Sequence, residues 1–107
     1  MAEPLLGEDE LWVGAMRGVV ERGQRLLVVR LEGRVCVYAD RCPHQGYPLS
    51  EGKLEHGVIT CRVHEHRFDA ASGAGVNPRG SCLTALPSRV EGGQILVELQ
   101  PPRKALP

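Results

Sequence analysis

Two short segments of the 107-residue chain carry the side chains best suited to binding a metal. The first is Cys42-Pro43-His44, and sixteen residues separate it from the second, Cys61-Arg62-Val63-His64. Each segment supplies one thiolate and one imidazole, and both groups are common metal ligands. The spacing predicts a metal centre held between two loops, with Cys42, His44, Cys61 and His64 as its ligands.

Two kinds of centre use two Cys and two His. In a [2Fe-2S] cluster of mixed ligation the Cys hold one iron and the His hold the other, whereas a structural zinc ion takes all four ligands in a tetrahedron. Zinc sites more often place both thiolates in one knuckle and both imidazoles on a helix. Here each segment gives one of each and neither looks helical. The arrangement favours one [2Fe-2S] cluster, which carries single electrons, over a zinc module without a redox role.

The residues around the four ligands are those of tight loops. Gly46 and Pro48 follow the first pair, and the stretch Leu49-Ser50-Glu51-Gly52 comes next. Glycine and proline allow sharp turns and close backbone approach, which a loop wrapped around a cluster needs. We therefore expect two cluster-binding loops, a first loop at about 41–50 and a second loop at about 60–68.

Length and charge limit the classes of function. A chain of 107 residues forms one domain, expected over 1–107. Lys plus Arg equals Asp plus Glu at 13 each, so nothing indicates binding to nucleic acid or to an anionic membrane. The sequence has no apolar run of eighteen residues and no secretory signal pattern, which predicts a soluble cytoplasmic protein without membrane attachment.

The pattern of short apolar runs and turns predicts an all-β fold. Residues 25–31 and 34–39 flank Glu32-Gly33, and residues 90–91 and 94–99 flank Gly92-Gly93. Both patterns are typical of β-hairpins. Short strands at this spacing indicate a small antiparallel β-sandwich or barrel, with the two loops as a cluster-binding subdomain. The proline-rich tail at 101–107 is expected to be loosely held.

Three further residues have simple structural interpretations. Trp12, the only tryptophan, is expected to pack in the core. Cys36 lies in the strand-like stretch Val35-Cys36-Val37-Tyr38 and is expected to be a buried apolar side chain. Cys82 follows a Gly-Ser turn and fits either a buried or an exposed position. Neither cysteine is assigned to the metal.

The ligand pattern and its flanks resemble the Rieske [2Fe-2S] family. High-potential members of that family brace the two loops with a disulfide, at positions that are Tyr47 and Val63 here. They also carry hydroxyl donors to the cluster sulfurs, at positions that are His66 and Phe68 here. Fewer donors make the reduced cluster harder to form. The resemblance therefore implies a low-potential Rieske ferredoxin.

Within the ferredoxins, the chain resembles the ferredoxin component of bacterial toluene- and benzene-type monooxygenases. The likeness rests on residues 11–16, 42–45, 49–52 and 57–62, and above all on the Gly-x-Gly-x-Asn-Pro pattern at 73–78. One departure is His66, where this subfamily usually has Trp. The resemblance implies a carrier between an NADH-dependent flavoprotein reductase and a di-iron hydroxylase. A ferredoxin of a ring-hydroxylating dioxygenase is the alternative.

A chain of this length is not expected to be an enzyme by itself, because we expect no second domain in which oxygen could react. The family places its two His ligands at the tip of a monomer, so we expect electrons to leave there. Partner docking is predicted at the neighbouring residues Gln45, Gly46, Tyr47, Pro48, Arg62, Glu65, His66 and Arg67.

Overall fold

The computed structural model describes residues 2–42, 47–62, 66–77 and 82–98. Within these ranges the chain forms antiparallel strands and two short 3₁₀ turns, at Glu8–Glu10 and Leu49–Glu51. The strands are β1 Ala2–Gly7, β2 Ala15–Glu21, β3 Gln24–Leu31, β4 Arg34–Ala39, β5 Lys53–Glu55, β6 Val58–Thr60, β7 Arg67–Asp69, β8 Gly75–Asn77, β9 Ala85–Leu86, β10 Ser88–Glu91 and β11 Gln94–Glu98.

The strands are arranged in three antiparallel sheets, which confirms the predicted all-β class. The outer sheet has the order β1-β11-β10, the central sheet β2-β3-β4-β9, and the third sheet β5-β6-β7-β8. Both predicted hairpins are present, since β3 pairs with β4 and β10 pairs with β11. Gly33 has a φ of 80° and Gly93 a φ of 79°, a left-handed backbone that glycine adopts without strain.

Strand β3 is buried on both faces, and this places the central sheet between two hydrophobic cores. Leu26 and Val28 point into one core, while Leu27 and Val29 point into the other. The first core joins the central sheet to the outer sheet and consists of Leu6, Leu11, Leu26, Val28, Val37, Ile95 and Val97. The second core joins it to the third sheet and consists of Leu27, Val29, Cys36, Tyr38, Cys42, Leu49, Ile59, Cys61, Phe68, Ala70 and Leu83.

Two side chains of β4 tie the central sheet to the turn that follows β7. The buried Tyr38 hydroxyl donates to the carbonyl oxygen of Ala70 at 2.7 Å, and the Cys36 thiol lies 3.7 Å from the carbonyl oxygen of Ala71. Burial, and then the neighbouring Cys36, raises the pKa of Tyr38 well above its usual range. Cys36 is thus a buried side chain, as predicted.

The prediction that Trp12 packs in the core is wrong, because its side chain is 83% exposed. The preceding Leu11 is buried in the first core instead. A turn follows in which the amide of Ala15 donates to the carbonyl of Trp12 at 3.0 Å and Gly14 has a φ of 87°. The amide of Gly14 also donates to the carbonyl of Arg30 at 2.7 Å. The turn therefore holds Trp12 on the surface in a fixed place.

No helix in the described part of the chain has the length and apolar character needed to cross a bilayer.

Candidate metal centre

Cys42 and Cys61, the two predicted thiolate ligands, lie in the same buried cluster. Each is 1% exposed, and both belong to the second core between the central and third sheets. Cys42 follows the end of β4 by three residues, and Cys61 comes directly after β6. The third sheet thus brings together two thiols that are nineteen positions apart in the sequence.

The same kind of backbone hydrogen bond is present at the beginning of both loops. The amide of Cys42 donates to the carbonyl of Tyr47, and the amide of Cys61 donates to the carbonyl of His66, each at 2.7 Å. Each bond joins a Cys to the residue five positions later in the chain. His44 and His64 fall within these two intervals, and both lie outside the described residues.

A buried carboxylate fixes the base of the first loop. Asp40 accepts two hydrogen bonds from Ser50, one from the backbone amide at 2.8 Å and one from the hydroxyl at 2.7 Å. Gly18 of β2 faces this pair, and a Cβ there would lie 2.7 Å from the Ser50 hydroxyl oxygen. Sequence reasoning assigned no role to Asp40 or Gly18, although Asp40 stands only two residues before Cys42.

Gly52, which follows the first loop, passes close to Thr60 at the beginning of the predicted second loop. A Cβ at Gly52 would lie 2.0 Å from the carbonyl oxygen of Thr60, so only glycine fits this approach. On the surface, Arg62 of the second loop pairs with Glu51 at 3.4 Å. These contacts link the segment that follows the first loop to the beginning of the second loop.

Two paired strands lie on either side of Cys61 and His66. β6 extends to Thr60 and β7 begins at Arg67, and the two strands pair through Thr60 and Arg67. The end of β6 and the start of β7 thus fall within the predicted second loop at about 60–68. Phe68, the next residue of β7, is fully buried in the same core as the two thiols.

The residues predicted to dock partners differ in exposure. Tyr47 is 47% exposed, Arg62 and Arg67 are exposed, and Pro48 and His66 are half-buried. Gln45, Gly46 and Glu65 lie outside the described residues.

The other two cysteines, which the sequence did not assign to the metal, differ in exposure. Cys82 is exposed and Cys36 is buried beside Ala71, and the four cysteines form no disulfide. In the described ranges, no group of three His, Cys, Asp or Glu side chains is placed to hold a metal ion. The structure thus offers no second metal centre within those ranges.

Comparison with known proteins identifies a family that binds an iron-sulfur cluster, which is consistent with two buried thiols in one core. The family model of the Rieske [2Fe-2S] domain matches residues 2–87. The chain belongs to the Rieske [2Fe-2S] domain family. The family's cofactor is a Rieske-type [2Fe-2S] cluster, so the iron-sulfur prediction is confirmed.

Rieske ferredoxins of oxygenase systems are similar along most of the chain. The ferredoxin component of the alkene monooxygenase system of Xanthobacter autotrophicus is 43% identical over 95 residues, which cover 87% of this chain and 77% of that protein. The ferredoxin component of the naphthalene 1,2-dioxygenase system of Pseudomonas aeruginosa is 29% identical over 91 residues, covering 84% and 88%.

A solved structure confirms the Rieske fold. It is a chain from the complex of reduced oxygenase and oxidized ferredoxin in carbazole 1,9a-dioxygenase, with a TM-score of 0.82, 26% identity, and coverage of 92% of this chain and 97% of that chain.

The two described ligand residues fit a Rieske cluster. Cys42 and Cys61 are not joined in a disulfide, share one core and are closed off from solvent. Thiolates are the cysteine ligands that iron-sulfur clusters use. The two cysteines are therefore compatible with the predicted ligand set.

Proposed function

We propose that this protein is a low-potential Rieske ferredoxin that carries single electrons to the hydroxylase of a multicomponent monooxygenase. Its cluster is held by Cys42, His44, Cys61 and His64. The observation that carries the proposal is the 43% identity to an alkene monooxygenase ferredoxin over 87% of the chain. Identity to the naphthalene dioxygenase ferredoxin is 29% over a similar span. The difference favours a monooxygenase system over a dioxygenase system.

The protein contributes a site for one electron and a surface from which that electron can leave. When bound, the cluster supplies one-electron redox chemistry. Cys42 and Cys61 hold it within the second core, where water is excluded. Tyr47, Arg62 and Arg67 are exposed beside the two ligand segments, so they are available to a docking partner.

Phe68 supports the assignment of a low potential. It is fully buried in the core that holds both thiols and has no hydroxyl to donate to a sulfur. We expect a midpoint potential of about −150 to 0 mV, at the lower end of the Rieske range. Phe68→Tyr adds a donor in this core and should raise the potential. A midpoint above about +100 mV in the unmodified protein would contradict the low-potential assignment.

The proposed system has three components. An NADH-dependent flavoprotein reductase donates the electron, and a di-iron hydroxylase accepts it. The ferredoxin acts as a monomer in the cytoplasm, where NADH is available. The hydroxylase selects the substrate, an aromatic hydrocarbon of the toluene or benzene type or an alkene, because the carrier does not contact it.

Reconstitution tests the proposal directly. The purified protein should contain two irons per chain and be red-brown, and a colourless protein with one zinc would contradict it. With a reductase and NADH, it should support product formation by an alkene or toluene monooxygenase hydroxylase. The matched assay uses a naphthalene dioxygenase oxygenase component. Faster turnover with the dioxygenase would assign the protein to the alternative class.

The docking surface has its own test. We expect Tyr47→Ala combined with His66→Ala to lower turnover with the cognate hydroxylase, while the midpoint potential stays nearly unchanged. His66→Trp should change turnover with a toluene-type hydroxylase more than it changes the potential. If the double variant turns over at the parent rate, electrons leave by another face.

A further inference from the structure

Asp40 is the only charged side chain that is buried within the described ranges, at 6% exposure. Burying a charge is costly unless hydrogen bonds compensate for the lost water. Here Ser50 compensates, since its amide donates to Oδ1 at 2.8 Å and its hydroxyl donates to Oδ2 at 2.7 Å. Both carboxyl oxygens thus act as acceptors, the arrangement of an ionised carboxylate.

The surrounding backbone holds this carboxylate in place. The amide of Asp40 donates to the carbonyl of Arg25 at 3.0 Å, which ties the residue to β3. A Cβ at Gly18 would lie 2.9 Å from Oδ2 of Asp40 and 2.8 Å from Cβ of Ser50. The absence of a side chain at Gly18 therefore leaves the space that the Asp40 and Ser50 side chains fill.

The residue that carries this charge lies close in the chain to Cys42, one of the two cysteines of the proposed cluster site. Asp40 precedes Cys42 by two residues, so their Cα atoms are at most about 7.6 Å apart. Both side chains are shielded from solvent. A charge in such surroundings is screened less by water and salt than a charge on the surface.

We propose that Asp40 is a fixed negative charge at the base of the first loop that lowers the midpoint potential of the cluster. The inference rests on the cluster assigned under the proposed function. Reduction adds one electron and hence one negative charge to the site. A buried carboxylate nearby repels that charge and favours the oxidised form. Ser50 keeps the carboxylate in position through its two hydrogen bonds.

Asp69 provides a matched control because it has the same kind of partner. It accepts hydrogen bonds from the amide of Ser72 at 3.1 Å and from the Ser72 hydroxyl at 2.7 Å. However, it is half-buried and lies at the end of β7 that pairs with Val58, away from Cys61. Solvent screens it more, so its charge should affect the potential less.

The test measures midpoint potentials of the purified, cluster-loaded protein by spectroelectrochemistry. Asp40→Asn keeps the shape of the side chain and removes its charge, and we expect an upward shift that persists at high salt. Asp69→Asn should give a clearly smaller shift. Ser50→Ala retains the carboxylate and should not raise the potential. Asp40→Ser provides a second neutral variant, small enough for the site, and should also shift the potential upward.

An unchanged midpoint in Asp40→Asn with an intact visible spectrum would overturn the inference, as would equal shifts in Asp40→Asn and Asp69→Asn. Loss of cluster uptake in both neutral variants would also overturn it, because Asp40 would then act only in folding. No oxygenase is needed for these measurements. A failure here is therefore distinct from a failure of the proposed monooxygenase role, which shows as absent turnover with the unmodified carrier.

Discussion

The two loops begin with the same hydrogen bond, yet different interactions hold them. In the first loop the amide of Cys42 bonds to Tyr47, and the base of the loop depends on Asp40, Ser50 and Gly18. In the second loop the amide of Cys61 bonds to His66, and the paired strands β6 and β7 enter and leave the loop directly. One loop relies on side chains from distant positions, and the other on local backbone pairing.

This difference indicates where substitutions should matter. Backbone pairing between β6 and β7 is largely independent of which side chains they carry, provided that Ile59 and Phe68 stay apolar and buried. The Asp40 and Ser50 pair needs two specific polar side chains and a residue without Cβ at position 18. The first loop should therefore be the more sensitive of the two to single substitutions.

The largest effect is expected when the feature that the two loops share, a cysteine at the beginning of each, is removed. Cys42→Ser and Cys61→Ser should each abolish cluster assembly, because each removes a thiolate, and each should lower the melting temperature since bound metal contributes to folding. Visible absorption and iron content check this. Cys36→Ser and Cys82→Ser are the controls and should keep the spectrum. Loss of cluster in either control would show that the ligands are misassigned.

The next largest effect is expected at the close approach of Gly52 to Thr60. Gly52→Ala places a Cβ 2.0 Å from the carbonyl oxygen of Thr60, so the backbone must move. We expect a loss of stability of about 3 kcal/mol, at the upper end for overpacking. The control is Gly57→Ala, where φ is 75° but no atom lies within 4 Å of the new Cβ. At Gly57 the left-handed backbone alone should lower the free energy of unfolding by about 1 kcal/mol when alanine replaces glycine. Chemical denaturation of both variants gives the comparison.

A smaller effect tests how the third sheet is attached to the central sheet. Tyr38→Phe removes the hydrogen bond to the Ala70 carbonyl, which should cost about 1 kcal/mol. Because burial raises the pKa of Tyr38, the stability of the protein should also depend on pH. Above pH about 10 the unfolded chain releases the phenol proton while the folded chain keeps it, so stability falls as pH rises. Denaturation at pH 8 and 11 should show a smaller loss in Tyr38→Phe than in the parent.

The smallest effect concerns the ion pair that joins the loops on the surface. Arg62 and Glu51 are both largely exposed. Arg62→Ala should therefore change stability by less than about 1 kcal/mol. Turnover with the hydroxylase should fall clearly even though stability hardly changes, since Arg62 is one of the predicted docking residues. A stability loss as large as that of Gly52→Ala would mean that this pair, and not the glycine approach, joins the loops.

Local signals in the sequence predicted the two hairpins and the iron-sulfur cofactor correctly. Glu32-Gly33 and Gly92-Gly93 mark turns within a few residues of the strands they connect, and the Cys and His types limit the chemistry. Most of the third sheet was missed, since strands as short as β5 and β8 have only three residues and no visible period. The Asp40 and Ser50 contact was missed because it joins residues ten positions apart across a fold.

The surface position of Trp12 could not be predicted for a related reason. A tryptophan is usually buried, and that general tendency does not reveal that the neighbouring Leu11 already occupies the first core. The deciding contacts are those of the turn, in which Gly14 bonds to Arg30 on a strand that follows later in the chain.

The exposed Trp12 also determines what fluorescence can report on this protein. It is the only tryptophan, and its ring meets water in the folded state. Its emission should therefore change little in wavelength when the protein unfolds, so circular dichroism is the better probe of stability. The same ring should be quenched readily by iodide in the isolated carrier. Protection from iodide on mixing with a reductase or a hydroxylase would then report coverage of this turn.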